Sequence, residues 1–370
     1  MKKVLVFGIT DNPGGVESVI MNYYRNIDRK KIQFDFLCNT EKVAYSEEIE
    51  RLGGQIYKVT ARSTNRKKFY QELEEFFKNH SNEYIAIWVN VCSLANIDYL
   101  KYAKKYNIKT RIIHAHNSQN MDSFLRGLLH RFNKIIISKY ATDFWSCSEE
   151  ASKWFYNYKI INSNEYKLIN NAIDCDLYKY DSEVRKKCRK DLKLENKFIF
   201  SNIGRLHFQK NQEFIIKIFK EIHLVDKETV LLLIGDGPDK EYLKELVNKN
   251  GLNDSVIFLG IRKDIPQLLQ ATDILLFPSL FEGLPLVLVE AQASDVVIFT
   301  SENRIDDKVV LKEQNFNFIS LDYDEKYWSK IIINKMKNMP KRNNNVKQIV
   351  EKGFDIKFEA KKLETFFENR

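Results

Sequence analysis

The chain alternates short apolar runs with longer segments of helical periodicity, and it does so twice. KVLVFGI (3–9), FDFLCN (34–39), QIYKVT (55–60), YIAIWVN (84–90), IKTRIIHAH (108–116) and ATDFWSCS (141–148) are strand-length, and helical patterns at 16–27 and 67–80 fall between them. After a charged connector, 182–197, the same grammar restarts with FIFSNIGRL. A helix over 211–223 follows, with Phe214, Ile215, Ile218, Phe219 and Ile222 on one face, and then the strands TVLLLIGDG, SVIFLG, DILLFPS and VVIFTS. Strict alternation of this kind requires βαβ units and parallel sheets with helices on both faces. The expected fold class is therefore α/β, with two Rossmann-like domains over 1–182 and 190–353. A C-terminal amphipathic helix, 354–370, is expected to pack back on the first domain. Such sheets bind ligands beyond the carboxyl ends of their strands, so the chemistry is sought in those loops.

Composition narrows the class. At 370 residues, with 44% apolar, 29% charged, 13 Gly and 6 Pro, collagen-like, low-complexity and disordered chains are excluded. The longest apolar runs are strand-length, too short for a bilayer-spanning helix. The opening MKKVLVFGITDNPGG imitates a signal peptide, but its apolar part is short and ends in a turn, so it reads as a strand. Five scattered cysteines without CxxC spacing read as reduced, mostly buried thiols of a cytoplasmic protein. The net charge of +9 is uneven: residues 1–180 hold 27 Lys and Arg against 20 Asp and Glu, the remainder 32 against 30. That asymmetry suits an anionic partner near the first domain. No RNA-recognition signature or zinc-finger spacing supports nucleic acid.

Three loops carry residues suited to chemistry. In ITDNPGGVESV (9–19), Gly14 and Gly15 at a strand-to-helix turn allow close backbone approach, and the helix N-terminus favours an anion. The turn lacks the GxGxxG pattern and its acidic partner, so a dinucleotide reading is poor. In SNIGRLHFQKNQ (201–212), Arg205 and Lys210 can clamp a diphosphate, or be two surface cations. In PSLFEGLPLVLVEAQAS (278–294), Glu282 and Glu290 flank a Gly283-Leu284-Pro285 turn, with Pro285 placed as the first helical residue. Glu290 then lies about 7.5 Å further along the helix. Its surroundings are apolar, and a carboxylate there calls for a polar partner.

Together, PGGVE, HAHN (114–117), NAID (171–174), GRLHFQKN (204–211), LLLIGDGP (231–238), VIFLGIRKDI (256–265) and FEGLPLVLVEAQAS resemble the retaining glycosyltransferases of GT-B fold in glycosyltransferase family 4. The resemblance covers essentially the whole chain, and is nearest to bacterial enzymes of capsular and exopolysaccharide assembly. It implies two Rossmann-like domains facing each other across a cleft. It also implies a nucleotide-sugar donor, a UDP-sugar by preference, and a glycan or polyprenyl-diphosphate-linked acceptor. No metal or other cofactor is required. By that similarity Gly15, with Gly14, meets the donor phosphate, and Arg205 and Lys210 hold the diphosphate. Glu290 binds the ribose, while Glu282, Gly283 and Leu284 meet the donor sugar and phosphate. Ile261 and Arg262 meet the base, and His116 approaches the sugar. Retention follows from same-face substitution, which the resemblance favours, or from a covalent intermediate on Glu282.

The chain departs from the family pattern in three places: Ala172 replaces a usual glycine, Asp295-Val296-Val297 replaces G-x-P, and His114 has no transferable role. Two patterns imitate metal sites, His114-x-His116 and Asp174-Cys175-Asp176, and both read better as structural. In 123–141, Arg126, His130, Arg131, Lys134 and Lys139 interleave with Phe124, Leu125, Leu128, Leu129, Phe132, Ile135 and Ile136. Such a helix can lie on an anionic membrane surface at the inner face of the membrane, or it is a core helix with a basic solvent face. The competing functions are another GT-B enzyme, such as a nucleotide-sugar epimerase, and a non-catalytic partner subunit. The epimerase constellation is not found, and the intact clamp residues favour activity.

Overall fold

The computed structural model describes residues 1–118, 124–282, 284–305 and 307–370, with Asp307 by its backbone alone. The chain divides into two units, Met1–Ala172 with Asp355–Arg370, and Ile173–Phe354. In the first unit the strands are β1 (Lys2–Phe7), β2 (Ile32–Cys38), β3 (Ile56–Lys58), β4 (Tyr84–Val91), β5 (Thr110–Ala115), β6 (Asp143–Ser146) and β7 (Tyr166–Leu168). They form one parallel sheet in the order β3-β2-β1-β4-β5-β6-β7. The second unit contributes β8 (Phe198–Ile203), β9 (Thr229–Ile234), β10 (Val256–Gly260), β11 (Ile274–Phe277), β12 (Val297–Ser301) and β13 (Phe316–Ile319). These are again parallel, in the order β10-β9-β8-β11-β12-β13. In both sheets the order reverses beside the first strand of the unit, the arrangement that opens a crevice at the strand ends.

Burial on both faces explains the unbroken apolar strands. Every residue of β2 and β9 is buried. The Gln212–Val225 helix buries Ile215, Ile216, Ile218, Phe219 and Ile222 on the second sheet. Phe214 is only partly buried and sets its ring edge-on to Trp328, 5.6 Å away. Two strands lie outside the sequence reading, β7 and β13. Both are short edge strands with polar positions, and Asn317 within β13 donates Nδ2 to Ile298 O at 3.0 Å.

The segment expected as a connector is instead a helix, Ser182–Asp191, capped by Asp181, whose carboxylate accepts from the amides of Glu183 and Val184. Arg185 and Arg189, one turn apart, both reach the Asp273 carboxylate at 2.5 Å. The charge run thus conceals an inward-facing pair within the second unit, and the chain divides at Ala172 rather than near 182. The Ile356–Glu368 helix lies in the first unit. Its Phe367 packs on Phe34, Phe366 meets Trp145, and Arg370 donates to Asp143 at 2.6 Å. All five cysteines are free. No helix among the described residues is long and apolar enough to cross a membrane.

Candidate active site

The carboxyl ends of β8 and β9 approach each other through glycine. A Cβ at Gly235 would lie 2.0 Å from Gly204 O, and one at Gly237 would lie 2.2 Å from Leu206 O. Only glycine therefore lets the loop after β8 fold over the strand end. Gln212, fully buried, holds that loop from inside: its Nε2 donates to Asn202 Oδ1 and Arg205 O, and its Oε1 accepts from the His207 amide. A short 3-10 turn, Phe208–Lys210, then brings Lys210 back beneath the loop.

Lys210 Nζ donates to Glu282 Oε1 at 2.6 Å and sits 4.6 Å from the centre of the buried Phe277 ring. Both partners are largely shielded, at 16% and 9% side-chain exposure, so their attraction is weakly screened. Two backbone tethers align the loops that carry them. Leu280 donates its amide to Gln209 O at 2.8 Å, and Gln209 Nε2 donates to Phe281 O at 2.9 Å. Arg205 is exposed on the same loop.

Behind Glu282 runs the Leu286–Ala293 helix. Pro285 is its extended N-cap rather than its first helical residue, since its ψ of 115° leaves the helical region. Glu290, near the middle of that helix, accepts from Tyr178 Oη at 2.9 Å. Burial among apolar side chains pushes its carboxyl up to about 7, partly offset by the Tyr178 hydroxyl. Tyr178 was not legible in the sequence, because the contact spans 112 positions and no local pattern marks it.

The first unit gathers a second group of residues. Gly8, past β1, has φ +136°, and a Cβ there would lie 2.7 Å from Asn90 Cβ. Asn90 in β4 donates Nδ2 to Phe7 O and Trp88 O, so its Oδ1 faces His116 Nε2 at 2.9 Å. This network assigns the His116 proton to Nε2 and leaves Nδ1 as the acceptor nitrogen. Burial lowers His116 to about 3 and drives the neighbouring His114 down as well. Both imidazoles are neutral at physiological pH. His114 accepts from Trp88 Nε1 at 3.3 Å, a packing role.

At the turn before the Gly15–Asn26 helix, a Cβ on Gly14 would meet Glu17 Oε2 at 2.9 Å, whereas one on Gly15 would meet nothing within 4 Å. A side chain at Gly14 would thus press on the end of the Glu17 side chain, while Gly15 faces open space. Glu17 accepts from Thr10 Oγ1 at 2.5 Å, and burial raises its carboxyl.

Residues 184–352, most of the second unit, match the family model described as glycosyl transferases group 1. The second unit is therefore similar to group 1 glycosyltransferase domains. EpsF of Bacillus subtilis (strain 168), which bears the name of a glycosyltransferase, is 28% identical over 352 residues, 93% of this chain and 90% of the relative. CapH of Staphylococcus aureus, a capsular polysaccharide biosynthesis glycosyltransferase by name, is 24% identical over 99% of both chains. The crystal structure of Anabaena Alr3699/HepE in complex with UDP-glucose superimposes with a TM-score of 0.80 at 20% identity, covering all of both chains. The chain is accordingly a glycosyltransferase, and its two parallel Rossmann-like sheets are those of the GT-B fold.

Within this glycosyltransferase, the residues singled out in the sequence fall into separate groups. Lys210 and Glu282 are in contact, with Arg205 on the same loop and Leu284 buried two residues past Glu282. Gly283 lies outside the described residues. Ile261 is exposed beyond β10, and the adjacent Arg262 forms a two-bond pair with Asp264 at 2.7 and 2.6 Å. His116, Gly14 and Gly15 belong to the first unit. Asp174 caps its own helical turn through the Asp176 amide, and Asp176 pairs with Lys179, so the imitation of a metal motif is a structured turn. Among the described residues no group of three or more His, Cys, Asp or Glu is placed to hold a metal ion.

Proposed function

We propose that this transferase moves a sugar from a nucleoside-diphosphate sugar, a UDP-sugar by preference, with retention of configuration and without a metal ion. The acceptor is a glycan or a polyprenyl-diphosphate-linked sugar, at the inner face of the membrane, in the assembly of capsular, exopolysaccharide or other cell-surface polysaccharide. The observation that carries this reading is the Lys210–Glu282 pair at the strand ends of the second unit, with Glu290 on the adjoining helix. Arg205 and Lys210 hold the diphosphate, one as a planar fork and the other as a point charge. Glu290 accepts the ribose hydroxyls, and the loop at Ile261 and Arg262 meets the base. The open space at Gly15 is consistent with a phosphate approaching that backbone. His116, neutral and with Nδ1 as acceptor, takes a sugar hydroxyl.

In the reaction, the bond from the anomeric carbon to the diphosphate oxygen breaks and a bond to the acceptor oxygen forms on the same face. The acceptor proton passes to an oxygen of the departing diphosphate. Positive charge from Arg205 and Lys210 stabilises the leaving group as it develops. Glu282 already accepts a short bond from Lys210, which suits it to orient the sugar rather than to attack it. Turnover of a UDP-sugar panel in EDTA, with the linkage of the product read by NMR, checks this scheme. Retained configuration is expected, whereas inversion or an absolute need for a divalent ion contradicts it.

A pH dependence follows from Glu290. Ribose hydroxyls donate to the ionised carboxylate, so binding favours the charged form. Affinity for UDP should therefore rise with pH through about 7 and level off above it. At pH 6 the Kd is expected to be about tenfold weaker than at pH 8. Glu290→Gln should remove that slope, leaving only the titration of the nucleotide phosphate. Calorimetric titrations of both proteins across this range provide the comparison, and identical slopes would contradict the assignment.

A further inference from the structure

The Phe124–Ile136 helix is built inside out. Phe124, Leu125, Leu128, Leu129, Phe132 and Ile135 are all exposed, Phe124 at 79%, Phe132 at 61% and Ile135 at 73%. At about 100° per residue they occupy one continuous arc of about 140°. The opposite arc, turned to the body of the unit, carries Gly127, His130 and Asn133, of which the two polar residues are buried. A core helix with a basic solvent face, one of the two readings of this segment, would have the reverse orientation.

The rotation of this helix is fixed by hydrogen bonds. His130 Nδ1 accepts from the Leu94 amide at 3.0 Å, and Asn133 Nδ2 donates to Leu94 O at 2.6 Å. His130 Nε2 reaches Trp154 O at 3.0 Å, and its ring stacks on Trp154. Rolling the helix to hide its apolar side would break these bonds and leave buried polar atoms unpaired, so the exposure is part of the fold.

Cations frame the apolar arc. By the same helical spacing, Arg131 falls about 20° beyond one edge of the arc. Lys139 follows the helix, exposed, and its carbonyl accepts from Lys104 Nζ at 2.7 Å. Lys101 and Lys104 lie over the Tyr140 ring. An apolar arc with a basic edge and a basic end on an unpartnered helix face is complementary to the acyl–headgroup boundary of an anionic bilayer. A protein partner matched to the same face would need an acidic frame around an apolar groove.

We propose that the Phe124–Ile136 helix is an interfacial helix that seats the first unit on an anionic lipid bilayer. Its purpose rests on the reading of a lipid-linked acceptor, but its physical basis is separate from the donor loops. The test is flotation of the full chain with vesicles of phosphatidylcholine alone, or with about 30% phosphatidylglycerol. Wild type should float with the anionic vesicles, and about tenfold less with the neutral ones or in high salt. Phe132→Ser combined with Ile135→Ser, at exposed positions, should weaken flotation by about tenfold or more with an unchanged thermal midpoint. The proposal is overturned if wild type ignores the anionic vesicles or if the double variant floats as wild type does. It is also overturned if the same substitutions dissolve a concentration-dependent dimer while vesicle binding is absent, since a second copy then covers this face. Flotation with no response to UDP would sink the donor reading and leave the docking helix standing.

Discussion

Lys210→Ala should reduce turnover by about 10²–10³, with kcat and kcat/KM falling together. The proportional fall is expected because, in the proposed reaction, the ammonium meets charge that develops on the leaving diphosphate, so its removal costs the transition state more than the bound donor. A second consequence is local. Glu282, at 9% side-chain exposure, loses the cation bonded to it at 2.6 Å. The carboxylate is then left without its bonded donor, and orientation of the sugar should suffer as well. Lys210→Arg keeps the charge but replaces a point donor above the Phe277 ring with a planar fork, and should recover only part of the rate. Single-turnover kinetics separate these effects. An unchanged chemical step in Lys210→Ala would mean that the pair is merely structural.

Asp295→Gly should destabilise the second unit by about 3 kcal/mol, although glycine is the better residue for the local backbone. Asp295 follows the helix that carries Glu290 and has φ +55°. Val296 donates its amide to Ala291 O at 2.9 Å and Asp295 donates to Gln292 O at 3.1 Å, the paired bonds of a Schellman termination. An aspartate in that left-handed position carries a backbone cost that glycine avoids. Here the cost is offset by burial with complete pairing. Oδ1 accepts from Lys312 Nζ and Asn315 Nδ2, each at 3.0 Å, and Oδ2 accepts from the Asn343 amide at 2.8 Å. Lys312 is itself only 4% exposed. Removing the carboxylate therefore strands a buried ammonium and a buried amide, a far larger penalty than the relief of backbone strain. For a unit of this size the loss corresponds to a fall of about 6–12 °C in Tm. Combining Asp295→Gly with Lys312→Met should recover most of it, since no unpaired charge then remains. Calorimetry of the four proteins in that cycle measures the coupling, and additive effects would show that the ion pair is unimportant.

The alternation of elements was legible because parallel strands covered on both faces must be nearly all apolar, as in β9, and their helices must be amphipathic, as in Gln212–Val225. Local chemistry was legible too: Ser148, of a residue type suited to an N-cap, precedes the Glu149–Phe155 helix and accepts from the Ala151 amide at 3.2 Å. The candidate site was readable as far as residue types on adjacent loops could take it, which placed Lys210 and Glu282 at strand ends. Contacts that depend on long separations were not readable. Tyr178 on Glu290 and Asn90 on His116 join elements that only the sheet order brings together. Periodicity also gives the arc of a helix but not its facing. The Phe124–Ile136 segment looks like any amphipathic helix until His130 and Asn133 are seen bonded to Leu94. At Asp295 the sequence shows only a departure from a family pattern, because the partners that make it tolerable lie 17 to 48 residues away.

In the proposed function, the loop holding Arg205 and Lys210 grips a nucleoside diphosphate. Isothermal titration of UDP into the full chain in EDTA, alongside Arg205→Ala and Lys210→Ala, tests it most directly. Binding to wild type is expected, with a loss of about tenfold or more in each variant and folding intact. Equal affinity in all three proteins would contradict it.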